Sequence, residues 1–441
     1  MLNLIIAKVN GLLKANSERE NSKPRRLVKT TFKRFLTHAA NSANLLISRS
    51  ISDVYFRYNF DKTVNQYSFK QGKLGNCGMI AAMASLINND ELYGKVVPQG
   101  QRFKNFLNYF IYGGPSTFQF NLYKCGKPYQ VVVNEKLPFY KNNLFYCSSL
   151  NSSFVGPLLE KALVALNYGG NYDLALGVNS EQIFSSLTNN FFEVFGMNCS
   201  KFNKSQVISH GLKTNSLMTV TFQNNITYQD FELKNNHVYY LLDIEENKVW
   251  IYNPHGRTIV ISKKVFFDQL LSVHISYFEN NIYDIPEIKT IKEFAETWPK
   301  HKENNASYIY YDLIIEEEPT YVLINLLETN NKDSCRCVLI VPVIDEYKNN
   351  NANENILCSC LPGKENYSVG SSLGGSLKKG KYRIVISGHV YLYADCLETS
   401  GDEVVLRLAA SKKCSVKRPV ESENEELENA LESYFAKFLG D

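Results

Sequence analysis

The chain has 441 residues, of which 44% are hydrophobic and 21% charged, and its net charge is +4. That length allows two or three domains with proper cores, and that composition argues against a mainly disordered chain. No apolar run reaches the roughly 18 residues that a membrane-spanning helix needs.

Ten scattered cysteines in so long a chain, with no secretory signal, lead us to expect reduced thiols in a cytoplasmic setting and not a disulfide framework. The positive charge is concentrated at one end. Residues 1–50 carry ten Lys and Arg against two Glu, so this segment is +8 and the remainder −4.

In chain order, Leu2, Ile5, Ile6, Val9, Leu12 and Leu13 make a short amphipathic helix pattern, followed by a polar stretch that ends in Lys23-Pro24-Arg25-Arg26. A docked helix or a tail accounts for it, and an anionic membrane surface or organelle targeting is the alternative. From about Tyr55 the texture is that of a folded domain. Gln71-Gly72-Lys73-Leu74-Gly75-Asn76-Cys77 predicts a loop, and the apolar spacing of Met79, Ile80, Met83, Leu86 and Ile87 predicts a buried helix starting near Cys77. Strand-like runs follow at 118–120 and 131–133, and residues 157–167 read as a helix with Pro157 in its first turn. This half is expected to be mainly helical.

Between about 215 and 275 the period becomes that of strands. Val238 to Leu242 and Val249 to Tyr252 are two strands joined by the polar loop Glu245-Glu246-Asn247-Lys248. His237 opens the first and Asn253 closes the second, so the hairpin brings both to one sheet edge. From about 300, at least six short strand-like runs imply an antiparallel β-sandwich, with Ser368 to Ser376 as a turn-rich loop between two of them. Ser422 and Glu425 form a capping box for a final helix with Leu427, Leu431, Phe435 and Phe438 on one side.

A Cys at a helix N-terminus is held where free backbone N–H groups and the helix dipole favour a thiolate. A His and an Asn brought together by a hairpin complete the chemistry of a thiol protease. The imidazole takes the thiol proton and the Asn amide orients the ring. Gln71, six residues ahead of Cys77, adds a side-chain amide that can join the Cys77 N–H in stabilising an oxyanion. The candidate catalytic residues are therefore Cys77, His237, Asn253 and Gln71.

These residues and their surroundings resemble the calpain family of papain-like cysteine proteases. Gln71-Gly72-x-Leu74-Gly75-x-Cys77 with Ala81-Ala82-x-Ala84-Ser85-Leu86 is similar to the family's nucleophile segment, and Asn253-Pro254-x-Gly256 to its Asn-Pro-Trp-Gly segment. Val96-Val97-Pro98, Phe118-Gln119-Phe120, Val131 to Val133, Leu137-Pro138 and Leu158 to Ala162 resemble further landmarks in the same order. The likeness covers about residues 55–275. It implies an α+β fold, with a papain-like two-subdomain core followed by a calpain-type β-sandwich.

The expected division is a basic extension over 1–50, a first subdomain over 51–205 carrying Cys77, and a second over 206–290 carrying His237 and Asn253. The sandwich then spans 300–415 and a terminal helix 420–441. What the resemblance implies is an intracellular endopeptidase acting on protein substrates, with a weakly active or inactive calpain-fold scaffold as the alternative.

Three departures stand out. The family usually has Asp before the nucleophile and Trp after it, where this chain has Asn76 and Gly78, and His255 replaces the Trp of Asn-Pro-Trp-Gly. His255 is expected to act as a lid over the site. The acidic positions through which the family's core binds calcium fall on Ser68 and Ser153, and Arg257 to Lys264 holds no carboxylate, so no calcium and no other cofactor or metal is expected. Cys335-x-Cys337 and Cys358-x-Cys360 are expected to be packing cysteines and not zinc ligands. His210, His274, His301 and His389 are read as surface or satisfied core residues. The basic N-terminal stretch lacks the interleaved aromatics of a nucleic-acid groove.

Overall fold

A computed structural model describes residues 69–98, 117–140, 143–149, 154–196, 203–228, 231–283, 287–297, 307–328, 336–342, 372–388 and 403–418, with 47–49, 285 and 357–358. The two terminal helices expected from the sequence lie outside the described residues, as do Ser68, Ser153 and the side chains of the four cysteines of the Cys-x-Cys pairs. The chain divides into two compact units, Met1–Arg49 with Pro138–Phe145, and Ser50–Leu137 with Tyr146–Asp441.

The elements of the first half are β1 (Ile47–Arg49), β2 (Phe69–Lys70), α1 (Cys77–Ile87), α2 (Asp90–Val96), β3 (Thr117–Lys124) and β4 (Lys127–Asn134). They continue with β5 (Leu137–Tyr140), β6 (Asn143–Leu144), β7 (Ser148–Ser149), α3 (Val155–Tyr168), α4 (Ser180–Thr188) and β8 (Phe192–Gly196). Within the smaller unit, β1, β5 and β6 pair in the order β1-β5-β6.

Every residue of α1 from Gly78 to Ile87 is buried, as expected of a helix apolar on all sides. Helix α3 has Pro157 in its first turn, where a missing N–H costs nothing, and ends on Gly169 in the left-handed region at φ +59°. The first half is less purely helical than the sequence leads one to expect, because β3 and β4 form a full hairpin. Their alternating pattern buries Phe118, Phe120 and Leu122 on one face.

The second half adds α5 (Lys204–Lys213), β9 (Leu217–Phe222), β10 (Ile226–Tyr228), β11 (Phe231–Leu233), β12 (Val238–Glu245), β13 (Lys248–Asn253), β14 (Arg257–Ser262), α6 (Lys263–Gln269) and β15 (Leu270–Ser276). Six strands form one sheet in the order β14-β13-β12-β9-β15-β8, with β12 and β13 as the expected hairpin. Its buried face is a continuous cluster that includes Val220, Tyr239, Ile251, Ile259, Val273 and Ile275.

Beyond residue 289 come β16 (Thr290–Thr297), β17 (Ser307–Ile315), β18 (Thr320–Glu328), β19 (Arg336–Pro342), β20 (Leu357–Cys358), β21 (Ser372–Leu377), β22 (Gly380–Gly388), β23 (Glu403–Ala410) and β24 (Cys414–Lys417). They make two antiparallel sheets, β16-β23-β18-β21 and β20-β19-β22-β17-β24. Alternate residues of both, among them Tyr311, Leu313, Val322, Ile324, Ile384, Leu406 and Leu408, share one core. The stretch expected to be a turn-rich loop is in part strand β21. Pairing along β18 from Thr320 to Asn325 gives Leu373-Gly374-Gly375-Ser376 a full ladder, which overrides their poor strand propensity.

Strand β8 ends the six-stranded sheet, and an end strand must find partners for its outer N–H and C=O groups. Asn325, fully buried, supplies them: its amide accepts from the Phe192 N–H at 2.9 Å and donates to the Phe192 carbonyl at 2.7 Å. The Ser372 hydroxyl accepts from the Val194 N–H at 3.1 Å. An Asn325→Leu variant strands both Phe192 groups in an apolar setting, so its stability in urea is expected to drop by roughly 2–6 kcal/mol, at about 1–3 kcal/mol for each lost partner.

Candidate active site

The four candidate residues all lie in the larger unit. Cys77 is the first residue of α1, with Asn76 at the N-cap position. The Asn76 side chain does not cap the helix. Its Nδ2 donates instead to Glu160 Oε1 of α3 at 2.8 Å, and Glu160 Oε2 accepts from the Cys147 N–H at 2.9 Å. The first N–H groups of α1 are thereby left for other use, and those of Cys77 and Gly78 lie against the Cys77 thiol together with that of Val238. Burial pushes the thiol up, and these three amides work against that push.

Glycine at position 78 is required by packing. A Cβ there would stand 2.3 Å from the Val178 carbonyl oxygen and 3.3 Å from the Ser180 nitrogen, so the backbone entering α4 lies directly on the start of α1. Two hydrogen bonds hold this contact, Ser180 Oγ to the Gly78 carbonyl at 3.3 Å and Gly177 N–H to the Gly75 carbonyl at 2.9 Å.

His237 immediately precedes β12 and Asn253 ends β13, and the hairpin sets His237 Nε2 3.0 Å from Asn253 Oδ1. Both are buried, His237 7% and Asn253 3% exposed. Since Oδ1 can only accept, Nε2 carries the hydrogen and Nδ1 is left as the basic nitrogen of the ring. Oδ1 also accepts from the His255 N–H at 2.9 Å, which fixes the amide against rotation. Burial lowers the His237 imidazole to about 4, the Asn253 hydrogen bond opposes this, and His255 and Lys234 add to it. At neutral pH the ring is therefore uncharged and able to take a proton.

The two residues after Asn253 give His255 the role of a cover. Its ring lies 4.8 Å from that of His237 at an interplanar angle of 30°, while Tyr239 meets the same ring edge-on at 4.8 Å and 88°. Gly256, at φ +95°, turns the chain away and donates its N–H to the Asn253 carbonyl at 2.8 Å. The backbone at Gln71 is tied to this same turn through its N–H and the Pro254 carbonyl at 2.7 Å, and the Tyr252 hydroxyl reinforces the tie by donating to the Phe69 carbonyl. The Gln71 amide donates one Nε2 hydrogen to the Leu74 carbonyl at 2.6 Å, leaving the second uncommitted, and its Oε1 is buried without a partner among the described residues.

Some features of the site were not reached from sequence. Glu160 sits inside the apolar face of α3 between Leu159 and Ala162, and a carboxylate in that place is the signal that could have marked it. Burial pushes Glu160 up to about 7, against its two hydrogen bonds. A second group joins Glu181, His274, Ser272 and Thr221, whose period-two spacing on β15 reads only as a polar strand face.

The family resemblance raises calcium, and the donor set does not fit it. The segment after Asn253 is β14 followed by α6, and it offers Arg257, Lys263 and Lys264 where carboxylates would be needed. Among the described residues, no group of three or more His, Cys, Asp or Glu is placed to hold a metal ion. No helix among them is long and apolar enough to cross a membrane.

The sequence model for the calpain family cysteine protease matches residues 47–261. The calpain-1 catalytic subunit of Homo sapiens is 34% identical over 149 residues, which cover 34% of this chain and 20% of that protein. Calpain-12 of Homo sapiens is 33% identical over 152 residues, and the calpain-2 catalytic subunit of Gallus gallus 35% over 150, again 34% of this chain and 20% of each relative. The matched stretch thus spans a fifth of the length of these curated relatives. Among solved structures, a clostridial cysteine protease after propeptide cleavage is similar at a TM-score of 0.23 and 11% identity, over 85% of this chain and 100% of that one, which is too slight a likeness to argue from. With the family's residue pattern and this geometry both in place, residues 47–261 are similar to the calpain family of cysteine proteases.

Proposed function

We infer that the chain is a calpain-like cysteine endopeptidase acting on protein substrates without calcium, with Cys77 as nucleophile, His237 as base and acid, Asn253 as its orienting partner and Gln71 in the oxyanion site. The observation that supports it most is the buried His237–Asn253 hydrogen bond set one residue from Val238, whose N–H meets the Cys77 thiol. The Cys77 proton passes to His237 Nδ1 and the sulfur attacks the peptide carbonyl carbon. The carbonyl oxygen, now an oxyanion, is held by the Cys77 N–H and the free Gln71 Nε2 hydrogen. His237 then gives its proton to the departing amine, and water, deprotonated by the same ring, releases the acyl group from sulfur. No step needs a metal.

The two C-terminal sheets are the expected calpain-type β-sandwich in this reading, and the basic segment 1–50 is a contact for anionic membrane. One observation favours the second reading, a weakly active or inactive scaffold: burial holds the thiol up and the imidazole down, so the resting pair is uncharged and less reactive than an ion pair.

An epoxysuccinyl thiol-protease inhibitor separates the two. Stoichiometric labelling of Cys77, equal with and without calcium, absent in Cys77→Ser and strongly slowed in His237→Ala, is the expected result. No labelling under any condition, or labelling unchanged in His237→Ala, overturns the enzyme.

A further inference from the structure

Next to the nucleophile, the two halves of the core are joined by a closed ring of contacts. From Cys77 it runs through Gly78 to Ser180 and Glu181 of α4. Glu181 Oε2 lies 2.7 Å from His274 Nδ1, His274 Nε2 lies 2.9 Å from Ser272 Oγ, and Ser272 Oγ lies 2.6 Å from Thr221 Oγ1. Thr221 is the direct cross-strand partner of Val238, and the Val238 N–H meets the Cys77 thiol. Val238, Thr221 and Ser272 form one row across β12, β9 and β15, so all three side chains share a face, and all three are half-buried. Glu181, 4% exposed, closes the floor. Beside it the fully buried Thr219 hydroxyl, opposite His274, has no partner among the described residues.

The chain of hydrogen bonds has a fixed sense. A carboxylate only accepts, so the hydrogen of a neutral His274 is on Nδ1 and Nε2 must accept from Ser272. With its one hydrogen committed, the Ser272 oxygen accepts from Thr221. The open end of the relay is then the Thr221 oxygen, an acceptor backed by the charge of Glu181.

We propose that this ring is a substrate side-chain pocket, and that the Thr221–Ser272–His274–Glu181 relay makes it select a hydrogen-bond-donating, cationic side chain, lysine or arginine, over an aliphatic one. Two strand spacings, about 10 Å, separate Val238 from Ser272, and a chain extended at roughly 3.3 Å per residue brings a side chain within two residues of the scissile bond over that row. An acceptor that a bound side chain covers without donating to it loses its water and stays unpaired, which is what penalises the aliphatic side chain.

This proposal rests on the protease reading, and the test separates the two. The full chain is treated at pH 8 with two epoxysuccinyl peptides that differ only in lysine against its isostere norleucine beside the reactive group. Labelling of Cys77 is expected to be about tenfold faster with lysine, a preference of the size that one paired acceptor gives. The ratio is expected to fall to near unity in Thr221→Val and in Glu181→Gln, the second variant covering a failure of the first to fold. Equal rates, faster norleucine labelling, or a lysine preference that survives both substitutions overturns the pocket alone. Failure of both peptides and of a simple epoxysuccinyl acid to label Cys77 overturns the protease reading and the pocket with it.

Discussion

A Gly78→Trp variant, which installs the residue that the family usually carries after its nucleophile, is expected to lose the folded start of α1 and all labelling of Cys77. The reason is backbone, not side chain. The first added atom, Cβ, meets the Val178 carbonyl oxygen at 2.3 Å and the Ser180 nitrogen at 3.3 Å, and neither can turn aside as a flexible side chain would. The rest of an indole has to displace residues 177–180, which breaks the Gly177–Gly75 and Ser180–Gly78 hydrogen bonds. Overpacking alone costs typically 1–3 kcal/mol, and with the two lost bonds the total is expected to reach about 4 kcal/mol. Gly78→Ala gains roughly 1 kcal/mol of helix propensity yet is expected to lose stability as well, because its Cβ makes the same clash. Thermal unfolding and thiol labelling of both variants check this, and an Ala variant as stable as the parent would show that the α4 segment yields easily.

Much of the site could be read before any coordinates because it rests on local signals. The hairpin between His237 and Asn253 follows from β-branched and aromatic runs about a polar loop; the first observed strand starts at Val238 as expected and runs on to Glu245, and the second, Lys248–Asn253, is longer by one residue at each end. The Cys77 helix follows from glycines ahead of a run apolar on all sides. Long-range contacts were not legible. Nothing near Asn76 shows that its amide is taken by a carboxylate 84 residues away. Nothing in Gly374-Gly375 shows that β18 makes a strand of them. Helix α2 is seven residues long and depends on Asn89 accepting from the Leu92 N–H, a signal too short to stand out. The departures from the family pattern were plain as letters, but their meaning was not. Gly78 is explained by the α4 backbone, and His255 by its ring lying over that of His237.

The residue before Cys77 carries the other large prediction. Asn76→Asp, again toward the family pattern, is expected to be tolerated near pH 6 and to lose about 3 kcal/mol or more by pH 8. Asn76 is fully buried, and its Nδ2 is one of two donors on Glu160 among the described residues. A carboxylate there removes that donor and sets two buried carboxyl groups at hydrogen-bond distance, where they can share one proton but cannot both ionise. The sign follows from the direction of the shift. Glu160 is already pushed up to about 7, so the folded chain holds a proton that the unfolded chain has released, and stability falls as pH rises through that range. A second carboxylate raises the pair further and extends the fall above pH 7, each added unit costing about 1.4 kcal/mol. Urea unfolding of parent and variant at pH 6 and pH 8 reads the difference directly, and equal losses at the two values would sink the shared-proton account. The consequence reaches Cys77 as well. Once the introduced carboxylate no longer points at Glu160, it is free to cap α1 and take the N–H groups that now lie against the thiol, so labelling of Cys77 is expected to slow most where the pair is forced apart, above pH 7. The Asn76–Glu160 bond therefore does for the Asn76 amide what the His255 N–H does for that of Asn253: it holds the side chain in one orientation.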